Sequence, residues 1–209
     1  MKKVKILFQG DSVTDAHRDY TDINSFGNGY VSYAIPMIKD AHPEIEFEFI
    51  NKGISGNRTC QLCDRFYPDG LVFDPDIISI LVGVNDVWHR HYDFLRIATT
   101  DDQIKLNYTC LLERIKRESN AKILMMTPYL LDHESVQHMR DEIDTINVFI
   151  KELAAKYADA FIPLDELFAE AVKAQPAPLY YSDDGVHPNE NGAKFIAEHY
   201  AKAIEALLD

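Results

Sequence analysis

The alternation of short apolar runs with helical patterns constrains the fold of this chain more than any other feature. Five runs are typical of strands: residues 4–9, 45–50, 77–82, 123–127 and 161–162. Most of them are apolar almost without interruption, as in strands that are buried on both faces of a parallel sheet. Between these runs, apolar residues recur with the period of a helix. The sequence therefore predicts an α/β fold with helices on both faces of a parallel sheet.

Helical periodicity is clearest in three segments, which are residues 104–115, 136–153 and 196–207. The chain shows no repeat, no low-complexity stretch and no Gly/Ser-rich linker that would mark a domain boundary. Its 209 residues are an ordinary length for one α/β unit. We therefore expect a single domain that spans residues 1–209.

Charge and hydropathy exclude several classes of function. The sequence has 34 acidic and 21 basic residues, so its formal net charge is −13. It would be repelled by nucleic acids and by anionic membrane surfaces, and we expect neither as a partner. No run reaches the roughly 18 apolar residues that a membrane helix needs. The first apolar run is broken by Lys5 and stops at Gln9, too short for a secretory signal, so we expect a cytoplasmic protein.

The three cysteines, Cys60, Cys63 and Cys110, are an odd and low number, which fits a reducing compartment. Cys60 and Cys63 have the spacing of a redox motif or of half a zinc site, but no second pair of ligands accompanies them. We therefore predict two small buried side chains one helical turn apart, and no metal site.

The predicted fold indicates where a functional site would lie. In an open parallel sheet, ligands bind beyond the carboxyl ends of the strands, where the strand order reverses. The loops at these ends begin at Gly10, Asn51, Gly83 and Thr127, and one further loop precedes the last helix. Side chains suited to catalysis should therefore be sought in these loops.

The first of these loops contains Ser12. A serine in a tight turn at the end of a strand can expose its hydroxyl to the crevice, and its backbone N–H can face an anion. Ser12 could instead be the cap of the helix that follows. This loop alone does not separate a nucleophile from a helix cap.

The next two loops contain groups that could bind an oxyanion. Gly53 and Gly56 allow the backbone to approach a ligand closely, although an ordinary turn would use glycines as well. Asn85 follows the third strand, and its amide could donate to a developing negative charge or form an Asx turn. Both loops are expected at the same edge of the sheet as Ser12.

The last loop places a carboxylate and an imidazole three residues apart in sequence. Asp184 could hold Nδ1 of His187, which fixes the tautomer and leaves Nε2 available to deprotonate a serine. The alternative is a solvated loop before a helix that is capped by Asn189. Together the loops supply a nucleophile, a base, its orienting carboxylate and oxyanion donors. This set is the inventory of acyl transfer through a covalent intermediate.

The motifs of these loops resemble the four sequence blocks of the GDSL/SGNH hydrolases. The blocks are Gly10-Asp11-Ser12, Gly56, Gly83-Val84-Asn85-Asp86 and Asp184-Gly185-Val186-His187, in the order of that family. The resemblance implies a flavodoxin-like three-layer α/β/α sandwich with a five-stranded parallel sheet. It also implies an enzyme without a metal or organic cofactor.

The resemblance assigns a role to each matching residue. Ser12 is implied to be the nucleophile, His187 the general base and then the general acid, and Asp184 the residue that orients it. The implied oxyanion donors are the backbone N–H groups of Ser12 and Gly56 and the side chain of Asn85. The enzyme would then be a carboxylic-ester hydrolase.

Longer strings are similar to the intracellular acetylxylan or acetyl-xylooligosaccharide esterases of this family. They cover residues 27–31, 51–57 and 85–88. The similarity implies a small acylated carbohydrate, or a related ester, as substrate and acetyl esters as the bonds that are cleaved. It also allows a homo-oligomer.

Four further residues are candidates for substrate binding: Asp11, Tyr30, Arg58 and Trp88. Tyr30 and Trp88 could stack on sugar rings, or could be core aromatics instead. Arg58 lies close in sequence to Gly56 and could favour an anionic substrate, or pair with surface acids.

Two other functions stay open at this point. A lysophospholipase or thioesterase would use the same triad, but the sequence has no obvious long apolar stretch to hold an acyl chain. A non-catalytic flavodoxin-like binding module would leave the polar residues and glycines of the loops without a purpose. We therefore predict a serine esterase that acts on short acyl groups.

Overall fold

Five strands form one parallel sheet in the computed structural model, which describes residues 2–91, 98–175, 177 and 179–208. The strands are β1 (Lys2–Gly10), β2 (Ile45–Gly53), β3 (Ile77–Leu81), β4 (Lys122–Met126) and β5 (Ala160–Ile162). Each of them coincides with a strand predicted from the apolar runs. β1 and β2 extend beyond their predicted ends, because pairing continues past the apolar residues.

The strands lie in the order β2-β1-β3-β4-β5, and all neighbouring strands are parallel. β1 and β2 pair along their full lengths, from Lys2 opposite Ile45 to Gly10 opposite Gly53. The chain passes outward from β1 to β2 and then returns to β3 on the other side of β1. The strand order therefore reverses between β1 and β3, and the carboxyl ends of these two strands flank the expected ligand crevice.

Helices cover both faces of the sheet. Those in the described ranges are α1 (Ser12–Asp15), α2 (Tyr30–Ala41), α3 (Thr59–Asp69), α4 (Val84–Trp88), α5 (Asp101–Glu118), α6 (Arg140–Tyr157), α7 (Leu164–Ala174) and α8 (Glu190–Leu208). Short 3₁₀ helices lie at Leu71–Phe73, His89–His91 and Gln137–Met139. None of the described helices combines the length and apolar character needed to cross a membrane.

The hydrophobic core has two layers, one on each face of the sheet. Side chains of β1 alternate between the layers, as the pleat of a strand requires. Leu7 packs into the layer formed with α3, α5 and α6. Ile6 and Phe8 pack into the layer formed with α2, α7 and α8. The result is the three-layer α/β/α sandwich that the sequence predicts.

Among the described helices longer than ten residues, α2, α3 and α7 were not assigned from the sequence. Pro36 lies inside α2 and Pro68 inside α3, and each interrupts the pattern by which a helix is recognised. α6 begins later than its apolar periodicity predicts, since that periodicity starts at Val136. The first turn of the predicted segment is the 3₁₀ helix, and regular α6 begins at Arg140.

Candidate active site

Ser12 is the first residue of α1 and lies just beyond the carboxyl end of β1. The N-cap of this helix is Asp11, whose carboxylate accepts a hydrogen bond from the backbone N–H of Val13 at 3.1 Å. The alternative in which Ser12 caps the helix is therefore wrong. Ser12 instead lines a pocket at the carboxyl edge of the sheet.

Ser12, His187 and Asp184 form a hydrogen-bonded line. Oγ of Ser12 lies 2.9 Å from Nε2 of His187. The second ring nitrogen, Nδ1, lies 2.7 Å from Oδ2 of Asp184. Ser12 and His187 are 175 positions apart in sequence, so the fold alone brings them together. The loop before α8 reaches the end of β1 and completes this arrangement.

Internal hydrogen bonds fix the loop that carries Asp184 and His187. Oδ1 of Asp184 accepts the backbone N–H groups of Val186 and His187 at 2.9 and 2.8 Å. The hydroxyl of Ser182 donates to the carbonyl of His187 at 2.6 Å and accepts the N–H of Gly185 at 2.9 Å. Ser182 was not singled out from the sequence, although its place two residues before Asp184 is typical of a serine that stabilises a turn.

Asp184 and His187 shift each other's pKa in opposite directions. The hydrogen bond to Asp184 raises the pKa of His187 above its usual 6.5, and partial burial of the ring only partly opposes this. Burial by itself would raise the pKa of Asp184, but hydrogen bonds from His187 and Val186 lower it well below 3.8. Asp184 is therefore ionised at neutral pH, where it stabilises a protonated His187.

Gly56 and Asn85 line the same pocket as Ser12. Gly56 has a φ of 79°, a conformation that favours glycine, and no atom lies within 4 Å of the position that a Cβ would take. Asn85 donates one amide N–H to the carbonyl of Asn57 at 3.1 Å. Since a side-chain amide has two N–H groups, Asn85 keeps a second donor for a ligand.

A buried carboxylate ties the loops of Gly56 and Asn85 together. Asp86 accepts hydrogen bonds from the backbone N–H and the hydroxyl of Thr59, at 2.9 and 2.8 Å. Thr59 begins α3, directly after the Gly56 loop, and Asp86 is the neighbour of Asn85 in α4. The sequence placed Asp86 in a motif without a role, and the structure shows that it connects the two candidate oxyanion donors.

The pocket in front of Ser12 has a volume of about 580 Å³. Trp88, Val186 and Pro188 contribute apolar surface to it. Another part of its wall comes from the segment between α1 and α2, with Ala16, His17, Asn28 and Gly29. Over the residues that the structure describes, no group of three or more His, Cys, Asp or Glu side chains could hold a metal ion.

The sequence matches the model of the GDSL-like Lipase/Acylhydrolase family over residues 8–195. The chain belongs to this family. Membership confirms the resemblance seen in the four sequence blocks and makes the chain a carboxylic-ester hydrolase.

Two curated relatives of this GDSL-family chain are acetylxylan esterases. The one from Geobacillus stearothermophilus is 31% identical over 96% of this chain and 93% of its own length. The one from Xylanibacter ruminicola is 29% identical over 66% of this chain but only 30% of its own length. The first similarity therefore covers both proteins almost completely, and the second covers one part of a longer protein.

Solved structures show the same fold. The crystal structure of Axe2, an acetylxylan esterase from Geobacillus stearothermophilus, matches with a TM-score of 0.86 and 30% identity. The match covers 96% of this chain and 94% of the other. The predicted SGNH hydrolase fold is thereby confirmed.

The predicted substrate-binding residues of this GDSL-family enzyme do not all reach the pocket. Trp88 lines it. Tyr30 is fully buried, with its ring packed against Phe8 and Tyr200, so the prediction that it stacks on a sugar is wrong. Asp11 is 1% exposed, so its predicted contact with substrate is also wrong. Tyr30 belongs to the hydrophobic core, and Asp11 caps α1.

Arg58 occupies the N-cap position of α3, and its Nη1 donates to the hydroxyl of Thr99 at 3.2 Å. Among the described residues, Arg58 is not part of the pocket wall. Its contact with an anionic substrate stays a prediction.

Asp11, the residue before Ser12, lies in an environment that disfavours its charge. Burial raises the pKa of Asp11 to about 7, although the N–H of Val13 and the charge of His187 lower it. Asp11 and Tyr129 line a small cavity of about 10 Å³. The carboxyl of Asp11 therefore titrates in the same range of pH as an imidazole.

Cys60 and Cys63 lie one turn apart in α3, and neither forms a disulfide. Cys63 packs against the core, and its Sγ donates to the carbonyl of Asn107 at 3.1 Å. The predicted helical spacing is right, and the side chains predicted to be buried are only partly buried.

Proposed function

We propose that this chain is a serine esterase that removes acetyl and other short acyl groups from xylooligosaccharides or related carbohydrates. The hydrogen-bonded line of Ser12, His187 and Asp184 at the wall of an open pocket carries the proposal. Nucleophile, base and orienting carboxylate are within hydrogen-bond distance in the order that acyl transfer requires.

In the first half of the reaction, Oγ of Ser12 attacks the carbonyl carbon of the ester while Nε2 of His187 takes the hydroxyl proton. His187 then donates this proton to the leaving alkoxide, and the acyl group stays on Ser12. In the second half, His187 takes a proton from water, which attacks the acyl-enzyme, and returns the proton to Oγ of Ser12. Asp184 stabilises the imidazolium at both stages.

The tetrahedral intermediates carry a negative oxygen that needs hydrogen-bond donors. We assign this role to the backbone N–H groups of Ser12 and Gly56 and to the second amide N–H of Asn85. Gly56 and Asn85 lie at the pocket with Ser12, and the hydrogen bonds between Asp86 and Thr59 fix their loops. Fixed donors need no reorganisation as the charge develops, which makes them effective.

The relatives support both the residues and the substrate class. Three structures of Axe2 are of catalytic mutants in which a serine, an aspartate or a histidine is replaced by alanine, the last two being three positions apart. Asp184 and His187 have the same spacing. Axe2 is an acetylxylan esterase, and a mutant structure describes it as an acetyl-xylooligosaccharide esterase.

We also propose that residues 1–209 act as one SGNH hydrolase domain, because all five strands belong to one sheet. The homo-oligomer and the cytoplasmic location stay predictions. A lysophospholipase or thioesterase would use the same three residues on a longer acyl chain, but acetylxylan esterases among the relatives favour short acyl groups. Membership of a hydrolase family likewise disfavours a non-catalytic binding module.

The proposal is tested with acetyl, butyryl and octanoyl esters of one leaving group, followed by a panel of acetylated sugars that includes xylooligosaccharides. We expect the acetyl ester to react fastest and the acetylated sugars to release acetate. Ser12→Ala serves as the blank in each assay. Faster turnover of the octanoyl ester would contradict the acetyl specificity, and release of acetate from none of the sugars would contradict the substrate class.

A further inference from the structure

The pocket is far larger than an acetyl group requires, since its volume is about 580 Å³. If the enzyme acts on acetyl esters, as proposed, most of the pocket is left for the alcohol portion of the ester. Part of the wall comes from the segment between α1 and α2, where His17 and Asn28 carry the polar side chains. In the described part of the chain, the imidazole of His17 makes no hydrogen bond to another residue, so both ring nitrogens are available to a ligand.

The backbone that presents His17 is in an uncommon conformation. Ala16 has a φ of 43° and His17 a φ of 61°, both in the left-handed region. Residues with a Cβ are disfavoured there, and two such residues in succession persist only where the surroundings impose the conformation. Strained backbone of this kind is concentrated at ligand sites, which makes His17 a candidate for substrate binding.

Several contacts impose this conformation on Ala16 and His17. The carbonyl of Ala16 accepts the N–H of Asn28 at 2.8 Å, which closes the segment on itself. Gly27, with a φ of 70°, packs so closely against the carbonyl of Ala16 that a Cβ would collide with it. On the other side, Nε of Arg18 donates to the carbonyl of Gly53 at 2.8 Å. His17 is therefore held between two anchored neighbours.

A second set of hydrogen bonds connects this segment to the loop that carries Ser55 and Gly56. Oδ2 of Asp15 accepts the N–H of Ser55 at 2.9 Å and also the hydroxyls of Ser55 and Tyr20. Ser55 precedes Gly56 and lines the pocket. The position of His17 is thus fixed relative to the place where the acyl group is expected.

We propose that His17 is a specificity-determining residue that hydrogen-bonds hydroxyl groups on the carbohydrate portion of the ester. The inference rests on the proposed function. A neutral imidazole offers one donor and one acceptor, which suits a sugar hydroxyl that can do both. An aryl acetate has no hydroxyls to bind, so His17 should discriminate between the two kinds of ester.

The test compares His17→Gly and His17→Asn with the wild-type enzyme on 4-nitrophenyl acetate and on an acetylated xylooligosaccharide. Glycine removes the imidazole and suits the positive φ, and asparagine tolerates this φ and keeps a donor and an acceptor. The control is His42→Asn, because His42 ends α2 at the opposite edge of the sheet. Thermal unfolding of each variant checks that it is folded.

We expect His17→Gly to lower kcat/KM for the xylooligosaccharide roughly three- to tenfold, mainly by raising KM. The kcat/KM for 4-nitrophenyl acetate should change less than about twofold. His17→Asn should restore part of the loss, and His42→Asn should change neither value. An equal loss on both substrates, or no loss on either, would overturn the inference. Wild-type enzyme that hydrolyses no acetylated carbohydrate would instead contradict the proposed function itself.

Discussion

Asp184 holds His187 with both of its carboxylate oxygens. Oδ2 is 2.7 Å from the ring atom Nδ1, and Oδ1 is 2.8 Å from the backbone nitrogen of the same histidine. One side chain therefore fixes both the ring and the backbone of the candidate base. The direction in which Nε2 faces Ser12 depends on this double contact, so a change at Asp184 should alter both the geometry and the protonation of His187.

The first prediction concerns the pH dependence of the reaction. Only neutral His187 can accept the Ser12 proton, so kcat/KM should fall as the pH decreases through the pKa of His187. Because Asp184 raises this pKa, the midpoint should lie above the usual value of 6.5. Asp184→Asn removes the hydrogen bond to a carboxylate that raises the pKa of His187. The midpoint should therefore move to lower pH, and the maximal rate should fall. The measurement is kcat/KM for a small acetyl ester from about pH 5 to pH 9.

The control for this prediction is Asp183→Asn. Asp183 is the adjacent carboxylate, and it contacts Asn189 at 3.3 Å. We expect its replacement to leave the midpoint in place. A midpoint that does not move in Asp184→Asn would mean that another group sets the pH dependence.

The second prediction concerns the nucleophile. We expect Ser12→Ala to lower kcat roughly 10³- to 10⁶-fold, as in other triads that act as a unit. The fold should be retained, since the hydroxyl lies at the pocket and Asp11, not Ser12, caps α1. The control is Ser119→Ala, whose hydroxyl bonds to the end of α5 before β4, away from the site. Rates near that of the wild type in Ser12→Ala would reject the covalent mechanism.

The third prediction concerns the oxyanion. Replacement of Asn85 by alanine should lower kcat roughly 10²- to 10³-fold with little change in KM, because the donor acts mainly in the transition state. Asn85→Asp should be at least as damaging, since an anion would face the developing negative charge. Asn120→Ala, at an exposed position before β4, is the matched control. If Asn85→Ala raised KM and left kcat intact, Asn85 would be a substrate-binding residue instead.

The fourth prediction concerns stability. Burial raises the pKa of Asp11 from 3.8 to about 7, so between these values the folded protein binds a proton that the unfolded chain has released. The free energy of unfolding should therefore decrease as the pH rises from about 4 to about 7. Asp11→Asn keeps an oxygen that can accept the N–H of Val13 but cannot ionise. This variant should lose less stability over the same range.

The measurement for this prediction is the midpoint of urea unfolding at several pH values, for wild type and Asp11→Asn. Asp11→Ala adds the loss of the helix cap and should be less stable than Asp11→Asn at each pH. If the urea midpoints of the wild type and Asp11→Asn changed in parallel with pH, Asp11 would be ionised over the whole range. That result would contradict the raised pKa of Asp11.

The sequence was sufficient to locate the strands, because most of them are short apolar runs, and the edge strand β2 alternates Ile and Phe with Glu. It was less informative on helices, since Pro36 and Pro68 are tolerated in α2 and α3 although they interrupt the local pattern. The fold there depends on packing that periodicity does not reveal.

The residues of the candidate site that belong to the four sequence motifs could be predicted. Ser12, Gly56, Asn85, Asp184 and His187 come together as expected, because each lies at the carboxyl edge of the sheet, in a loop or in a short helix that follows a strand. Tyr30 was misplaced because a sequence does not tell a core aromatic from one in a pocket. Ser182 and His17 were not predicted as site residues, since their positions follow from hydrogen bonds and backbone angles of the folded chain.

His187 follows all five described strands in the sequence, which has a consequence for biosynthesis. A ribosome that has released β1 to β5 has already supplied Ser12 and the loops of Gly56 and Asn85, but not the proposed base His187, which precedes α8. A nascent chain, or one truncated before His187, therefore lacks the proposed base. α8, which follows His187, packs against α2 in one layer of the core, so this layer also lacks a helix until the chain has passed His187. Ester hydrolysis would then report that the chain has been synthesised and folded at least as far as His187.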